Sequence, residues 1–228
     1  MKKLLCLALA VLMLFALAAC AENPTPTESK NDTTPATDAP ETKAPDTTAA
    51  PAPAELPSPV EIEAAVAAAL GDGYLATVDV AEEEIYLCPL GWLEDMSILE
   101  SWVAKQAVIS AVDLDNVVVA KCKDAADTEK VVEAFNNSFA QTVSYVRQYP
   151  FGTAKVLGAR IYRVGDTVMF LMAGASDDSG DAETEAKLAE TEYAKIDAAL
   201  EKLFGFVPEN LAVIPEDNGN SGGGLLGG

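Results

Sequence analysis

Residues 156–173 read VLGARIYRVGDTVMFLMA. A β-rich run from Val156 to Val164 meets Gly165-Asp166, and a second run, Thr167 to Ala173, follows. Two strand-forming runs joined by a two-residue Gly-Asp loop signal a β-hairpin, because such a tight turn matches the twist of the strands it joins. Hairpin partners are antiparallel, and a sheet built from hairpins with helices packed on it belongs to the α+β class.

The elements on either side extend this reading. Upstream, Asp124 or Asp127 opens a long helix to Tyr149, with Val131, Val132, Phe135, Phe139, Val143 and Val146 at helical spacing, and Pro150 ends it. Downstream, Ser176 to Asp181 is an acidic loop. A last helix runs from Glu183 to Phe204, with Leu188, Ile196, Leu200 and Leu203 on one side and Gly205 as its stop. Before the long helix, Val117-Val118-Val119-Ala120 reads as a buried strand, and Asp113-Leu114-Asp115-Asn116 as a turn. The turn joins that strand to another over Gln106 to Val112. Further upstream, Glu84 to Leu90 (EIYLCPL) reads as a short strand. Leu93, Met96, Leu99, Trp102 and Val103 share a helical face. Ser58-Pro59-Val60-Glu61 is a helix start, with Ser58 as cap, Pro59 at the first position and Glu61 completing a capping box. Ile62, Val66, Ala69 and Leu70 form the stripe of that helix, and Gly71 ends it. The predicted architecture is a two-layer α+β domain. It has an antiparallel sheet of about four strands in two hairpins, two long amphipathic helices over one face and an extra N-terminal helix.

The N-terminal residues have a different character. Lys2 and Lys3 precede an uncharged apolar run, Leu4 to Ala19, which is short for a membrane span and ends in small residues. Leu17-Ala18-Ala19-Cys20 resembles the bacterial lipobox, which implies cleavage before Cys20 and diacylation of its sulfur. Two acyl chains anchor a protein stably where one binds marginally. Residues 21–59 then hold nine of the chain's 13 prolines and eight threonines, with Leu56 as their one large apolar residue and no aromatic. Such a segment cannot offset its ordering entropy by burial, so a disordered tether with a mean span of roughly 35 Å is expected. The predicted organisation is a signal peptide over 1–19, a Thr/Pro/Ala-rich acidic tether over 20–58, one domain over 59–216 and a flexible glycine-rich tail over 217–228.

Composition narrows the chemistry. The chain has 228 residues, 36 acids against 15 bases and no histidine. The lack of imidazole excludes Ser-His-Asp triads, Cys-His pairs and histidine-ligated metals. The charge of −21 argues against nucleic acid, whose phosphates require basic surface. Residues 60–216 hold 28 acids and 11 bases, or −17, so the acidity belongs to the domain as well as to the tether.

The remaining candidates are few. Cys88 and Cys122 are a possible disulfide or two buried thiols. Ser101 and Lys105 lie one helical turn apart if their segment is helical, a common surface arrangement that makes them at most a weak Ser-Lys dyad candidate. Gly71-Asp72-Gly73-Tyr74-Leu75-Ala76 fits Gly-x-Gly-x-x-Ala, but it follows a helix rather than a strand, the reverse of the dinucleotide-binding context. Asp177, Ser179 and Asp181 place oxygens as a calcium loop would. However, Ala182 stands where glycine is required and Leu188 where glutamate is required, so they form a weak candidate and no metal is assigned. Tyr145, Arg147 and Tyr149 close the long helix and are candidate pocket residues. No cofactor is expected.

Several stretches together resemble a known family. They are Asn116-Val117-Val118-Val119-Ala120-Lys121, then Lys123-Asp124-Ala125-Ala126-Asp127 with its long helix, then Tyr149-Pro150, and finally the hairpin around Gly165 with Val168-Met169-Phe170-Leu171. With the lipobox and tether they resemble the Clostridia-type lipoproteins grouped as domain of unknown function 4358, over roughly residues 60–205. The resemblance implies location and architecture and carries over no site.

The expected function is that of a lipid-anchored lipoprotein at the extracytoplasmic face of a bacterial membrane. Its non-catalytic domain would bind or scaffold a cell-envelope protein or polymer. The membrane is a partner through diacylglyceryl Cys20, and nucleic acid is not a partner. Two alternatives stand beside it: a histidine-free carboxylate hydrolase acting on cell-wall glycan or peptide, and a solute-capture lipoprotein of a transporter.

Overall fold

A computed structural model describes residues 56–177 and 180–217. The signal peptide, the tether as far as residue 55, Asp178, Ser179 and residues 218–228 lie outside the described residues.

Among the described residues five strands form one antiparallel sheet in the order β1-β2-β3-β5-β4. They are β1 (Val78–Asp79), β2 (Leu99–Gln106), β3 (Asn116–Cys122), β4 (Arg160–Val164) and β5 (Thr167–Met172). The predicted hairpin is β4–β5, in which Val164 pairs with Thr167 across Gly165-Asp166. β3 lies at the centre, with Val118 opposite Ala104 of β2 and Phe170 of β5. Five helices accompany the sheet: α1 (Pro59–Leu70), the short α2 (Ser110–Asp113), α3 (Thr128–Gln148), α4 (Thr153–Leu157) and α5 (Ala182–Phe204).

The α+β class and antiparallel sheet are as the sequence predicts, but the two long helices do not share a face. Alternate residues of a strand point to opposite sides, and here both sides are covered. Val118, Ala120, Val168 and Phe170 pack with Val131, Phe135, Phe139 and Val143 of α3. Val117, Val119, Met169 and Leu171 pack with Ile62 and Val66 of α1 and with Tyr193, Ile196 and Leu200 of α5. The uninterrupted run Val117 to Ala120 carries this information, since a strand buried on both faces needs no polar alternation.

The helix starts follow the sequence closely. Ser58 caps α1 with the full reciprocal box: Glu61 N–H donates to Ser58 Oγ at 3.3 Å, and Ser58 N–H donates to Glu61 Oε2 at 2.8 Å. The capped Ser58 holds the Glu61 carboxyl below its ordinary range. α5 begins at Ala182, because Asp181 caps it by accepting from Thr184 N–H.

The region from 82 to 112 departs from the sequence reading. Glu84 to Leu90 is not a strand. It falls within two consecutive 3₁₀ turns, Glu82–Leu87 and Pro89–Trp92. Gly91 lies so close to the preceding turn that a Cβ on it would sit 2.5 Å from Tyr86 Cα, so the chain doubles back on itself where composition favoured extension. Leu93 to Val103 is not a helix, because Met96–Ile98 is a 3₁₀ turn and β2 starts at Leu99. Pairing with β3 along its length overrides the helical spacing of Leu99, Trp102 and Val103. Gln106 to Val112 is not a strand either. β2 ends at Gln106, and Ala107 N–H donates to Asp115 O at 3.0 Å. Val108, Ile109 and Val112 are then exposed in the connection. Lastly, Thr153–Leu157 forms α4, so the strand expected from Val156 begins at Arg160. Gly158 makes the change of direction against the Tyr193 ring, whose Cε2 would stand 2.5 Å from a Cβ there.

The segment after α5 closes the outer edge of β4. Asn210 Oδ1 accepts from Ile161 N–H at 2.9 Å, Asn210 Nδ2 donates to Ala159 O at 3.2 Å, and Leu211 N–H donates to Ile161 O at 2.7 Å. The segment is then tied to α3, with Val213 N–H donating to Asn136 Oδ1 at 2.8 Å and Arg147 donating to Pro215 O at 2.7 Å. These bonds cap the Ala159–Ile161 part of the edge, which is one way a sheet edge is kept from pairing with other chains.

Candidate binding cleft

The residues singled out in the sequence do not converge. Leu17, Ala18, Ala19 and Cys20 lie outside the described residues. Ser101 and Lys105 lie on β2, where four residues span about 13 Å, so they form no dyad. Lys105 instead pairs with Asp79 at 2.9 Å. The Gly71–Gly73 segment is a 3₁₀ turn closing α1. Of the calcium-loop candidates, Ser179 lies outside the described residues and Asp181 is the cap of α5. Among the described residues no group of three His, Cys, Asp or Glu side chains is placed to hold a metal ion. Arg147 holds the C-terminal segment, while the Tyr145 and Tyr149 rings stack on each other at 5.2 Å.

Cys88 and Cys122 are free thiols rather than a disulfide, both buried in the cluster beneath α3. Cys88 Sγ is turned to the Ile85 carbonyl, to which it donates at 3.2 Å. Burial pushes the Cys88 thiol up and drives the Cys122 thiol up to about 11, with Asp127 and Asp166 adding to the shift at Cys122. Thiolate is the reactive form. Near pH 8 the folded domain should therefore leave both thiols untouched by a chromogenic disulfide reagent over minutes, and denaturant should release both. Rapid reaction of either in the folded chain would contradict this burial.

The most deeply buried charges lie where β3 begins and β5 ends. Lys155 Nζ donates to Asp115 Oδ2, with side chains 3% and 0% exposed, and also to Asp113 O at 2.8 Å. Asp115 Oδ1 accepts from Gly174 N–H at 3.0 Å. Tyr193 donates to Lys155 O at 2.7 Å. Tyr74 donates to the buried Glu63. Burial raises the Asp115 carboxyl against the opposing pull of Lys155 and Gly174. These groups satisfy one another, and together they join α4 and α5 to the end of the sheet.

A cleft of about 300 Å³ lies between α3 and the segment leading into β2. The turn Pro89–Trp92 is anchored by buried Leu90, and Gly91 fixes its path, leaving Trp92 45% exposed at the mouth. Glu94 and Asp95 follow. Asp95 accepts from Ser97 N–H at 2.8 Å, and the Ser97 hydroxyl together with that N–H lowers its carboxyl from the ordinary range. The opposite wall is one stripe of α3, Lys130, Glu133, Ala134 and Asn137, at the spacing that shares a helix face. Lys130 turns to Asp127 at 2.7 Å. Leu93, Ile98 and Ala134 supply the apolar surface. Three carboxylates, one ammonium, an amide and an indole thus surround a site at the small end of the usual ligand range. The sequence reading missed Trp92, Glu94, Glu133 and Asn137. The two walls lie some forty residues apart, and the near wall falls largely in a segment whose helical spacing the fold does not follow.

Residues 95–173 match the family model described as Domain of unknown function (DUF4358), and the chain carries that domain over this span. The match runs from Asp95 in the cleft through β5 and includes α3, while α1, α5 and Trp92 fall outside it. No curated protein and no solved structure matches the chain.

Proposed function

We propose that this chain is a lipid-anchored extracytoplasmic lipoprotein, of the Clostridia type, whose domain binds a cell-envelope partner without catalysing a reaction. The observation that carries the binding reading is the cleft at Trp92. The turn Pro89–Trp92 displays Trp92 there at 45% exposure, the preceding turn Glu82–Leu87 displays Tyr86 and Leu87 nearby in sequence, and exposed aromatic side chains are the usual anchors of recognition surfaces. The lipid anchor is supported by Lys2 and Lys3, the apolar run and Leu17-Ala18-Ala19-Cys20. Among the described residues no helix is long and apolar enough to cross a membrane, so membrane attachment in this reading rests on Cys20. Binding is favoured over hydrolysis by the state of the cleft's acids. Glu94 and Glu133 are solvent-exposed, and Asp95 is held ionised by Ser97, whereas a general acid requires a carboxyl kept protonated by burial.

Growth with an alkyne-bearing fatty acid tests the anchor. The wild-type chain should take up the label and sediment with membranes, and Cys20→Ala should lose the label. An equally labelled Cys20→Ala chain would overturn the anchor. A photo-crosslinking residue in place of Asn137 tests the binding. Irradiation of intact cells should give a discrete adduct that a crosslinker at exposed Glu201 on α5 does not give. Release of fragments from purified cell wall by the chain would overturn the non-catalytic reading.

A further inference from the structure

We propose that the Trp92 cleft takes a protonated amine carried on an apolar stem. This rests on the binding reading above and adds the ligand's chemistry.

Four observations converge on it. First, Trp92 is an exposed indole held by a pinned turn, and indole is the strongest of the side-chain π faces for a cation. Second, Glu94 and Glu133 approach the same space from opposite walls, and among the described residues neither is in an ion pair. The cleft's own cation, Lys130, is already committed to Asp127. Third, Leu93, Ile98 and Ala134 form an apolar bed beside these carboxylates, on which a methylene stem can lie while its charged head reaches Glu133 and the Asn137 carbonyl. Fourth, residues 60–216 carry 28 acids and 11 bases, and such a field concentrates cations at an acidic cleft and repels anions. A volume of about 300 Å³ suits one side-chain-sized group. The shared chemistry is that of a lysine side chain or a free polyamine.

The test uses the chain from residue 20 onward, ¹⁵N-labelled, with Cys20→Ser to keep it soluble, at low ionic strength. Nα-acetyl-lysine methylamide should shift the Trp92 indole N–H resonance saturably and leave that of Trp102 in place. The neutral Nε-acetylated form should bind at least about 10-fold more weakly, as should the Glu94→Gln/Glu133→Gln variant, and Trp92→Leu should bind about 5-fold more weakly. Spermidine is the second arm. A tighter lysine amide assigns a polypeptide source, and a tighter spermidine assigns a free polyamine. Equal binding of the charged and Nε-acetylated probes would overturn the proposal. So would a Trp92 shift produced only by a neutral N-acetylglucosamine oligomer, which would leave the binding reading intact. Silence from every probe, combined with no adduct at position 137 in cells, would overturn both.

Discussion

Replacing Lys155 with methionine should cost the domain about 3–5 kcal/mol, the penalty for leaving one charge of a buried pair without its partner. Asp115 is fully buried, and its second oxygen already accepts from Gly174 N–H, so it cannot turn to water. The cost should depend on pH in a definite direction. Burial raises the Asp115 carboxyl in the folded domain even beside Lys155. Without the ammonium it rises further. A carboxyl whose folded value exceeds its unfolded one favours the folded state while protonated, and that contribution is lost as pH rises through the folded value. Lys155→Met should therefore be less damaging near pH 4 than at neutral pH. Urea midpoints measured across that range would show the trend. Asp115→Asn added to Lys155→Met should recover at least half of the loss at neutral pH, because no buried charge remains and an acceptor for Gly174 persists. A double variant no more stable than Lys155→Met would show that the damage lies in packing at α4 instead.

Phe135→Ala should cost a comparable amount, about 3–5 kcal/mol, for a different reason. The ring has no solvent exposure and meets Phe170 edge-on at 6.0 Å, joining the middle of α3 to the centre of β5. Its removal leaves a cavity lined by sheet residues that are fixed by strand pairing and cannot collapse into it. Phe135→Leu should cost less than about half as much, since most of the volume is kept. The loss should be insensitive to pH between 4 and 8, in contrast with Lys155→Met. Because the cleft wall is built on the same helix, the Trp92 resonance should broaden in Phe135→Ala and stay sharp in Phe135→Leu.

Much of this was legible where a single local rule was sufficient. Gly165-Asp166 between two apolar runs gave the hairpin. Six apolar residues from Val131 to Val146 marked the buried side of α3, and Ser58 with Glu61 marked the start of α1. Failure came where distant pairing decided the outcome. Leu99, Trp102 and Val103 satisfy helical spacing, and only pairing with the neighbouring β3 makes the segment a strand. Val108, Ile109 and Val112 look like core by composition but fall in an exposed connection. The Glu82–Trp92 region hinges on the contact of Gly91 with Tyr86, which no periodicity announces. The cleft is illegible for the same reason. Glu133 and Asn137 read as the solvated side of an amphipathic helix, and only the fold brings Trp92 opposite them.

One face of the sheet is closed by α1 and α5, which pack against each other although one begins at Pro59 and the other ends at Phe204. The apolar residues Val117, Val119, Met169 and Leu171 therefore have no permanent cover until the last helix has been made. Contacts between such distant segments slow folding, because a long loop must close before they form. In the extracytoplasmic reading proposed above, such late folding would help to keep the chain extended for export, and it comes from the order in which the helices appear.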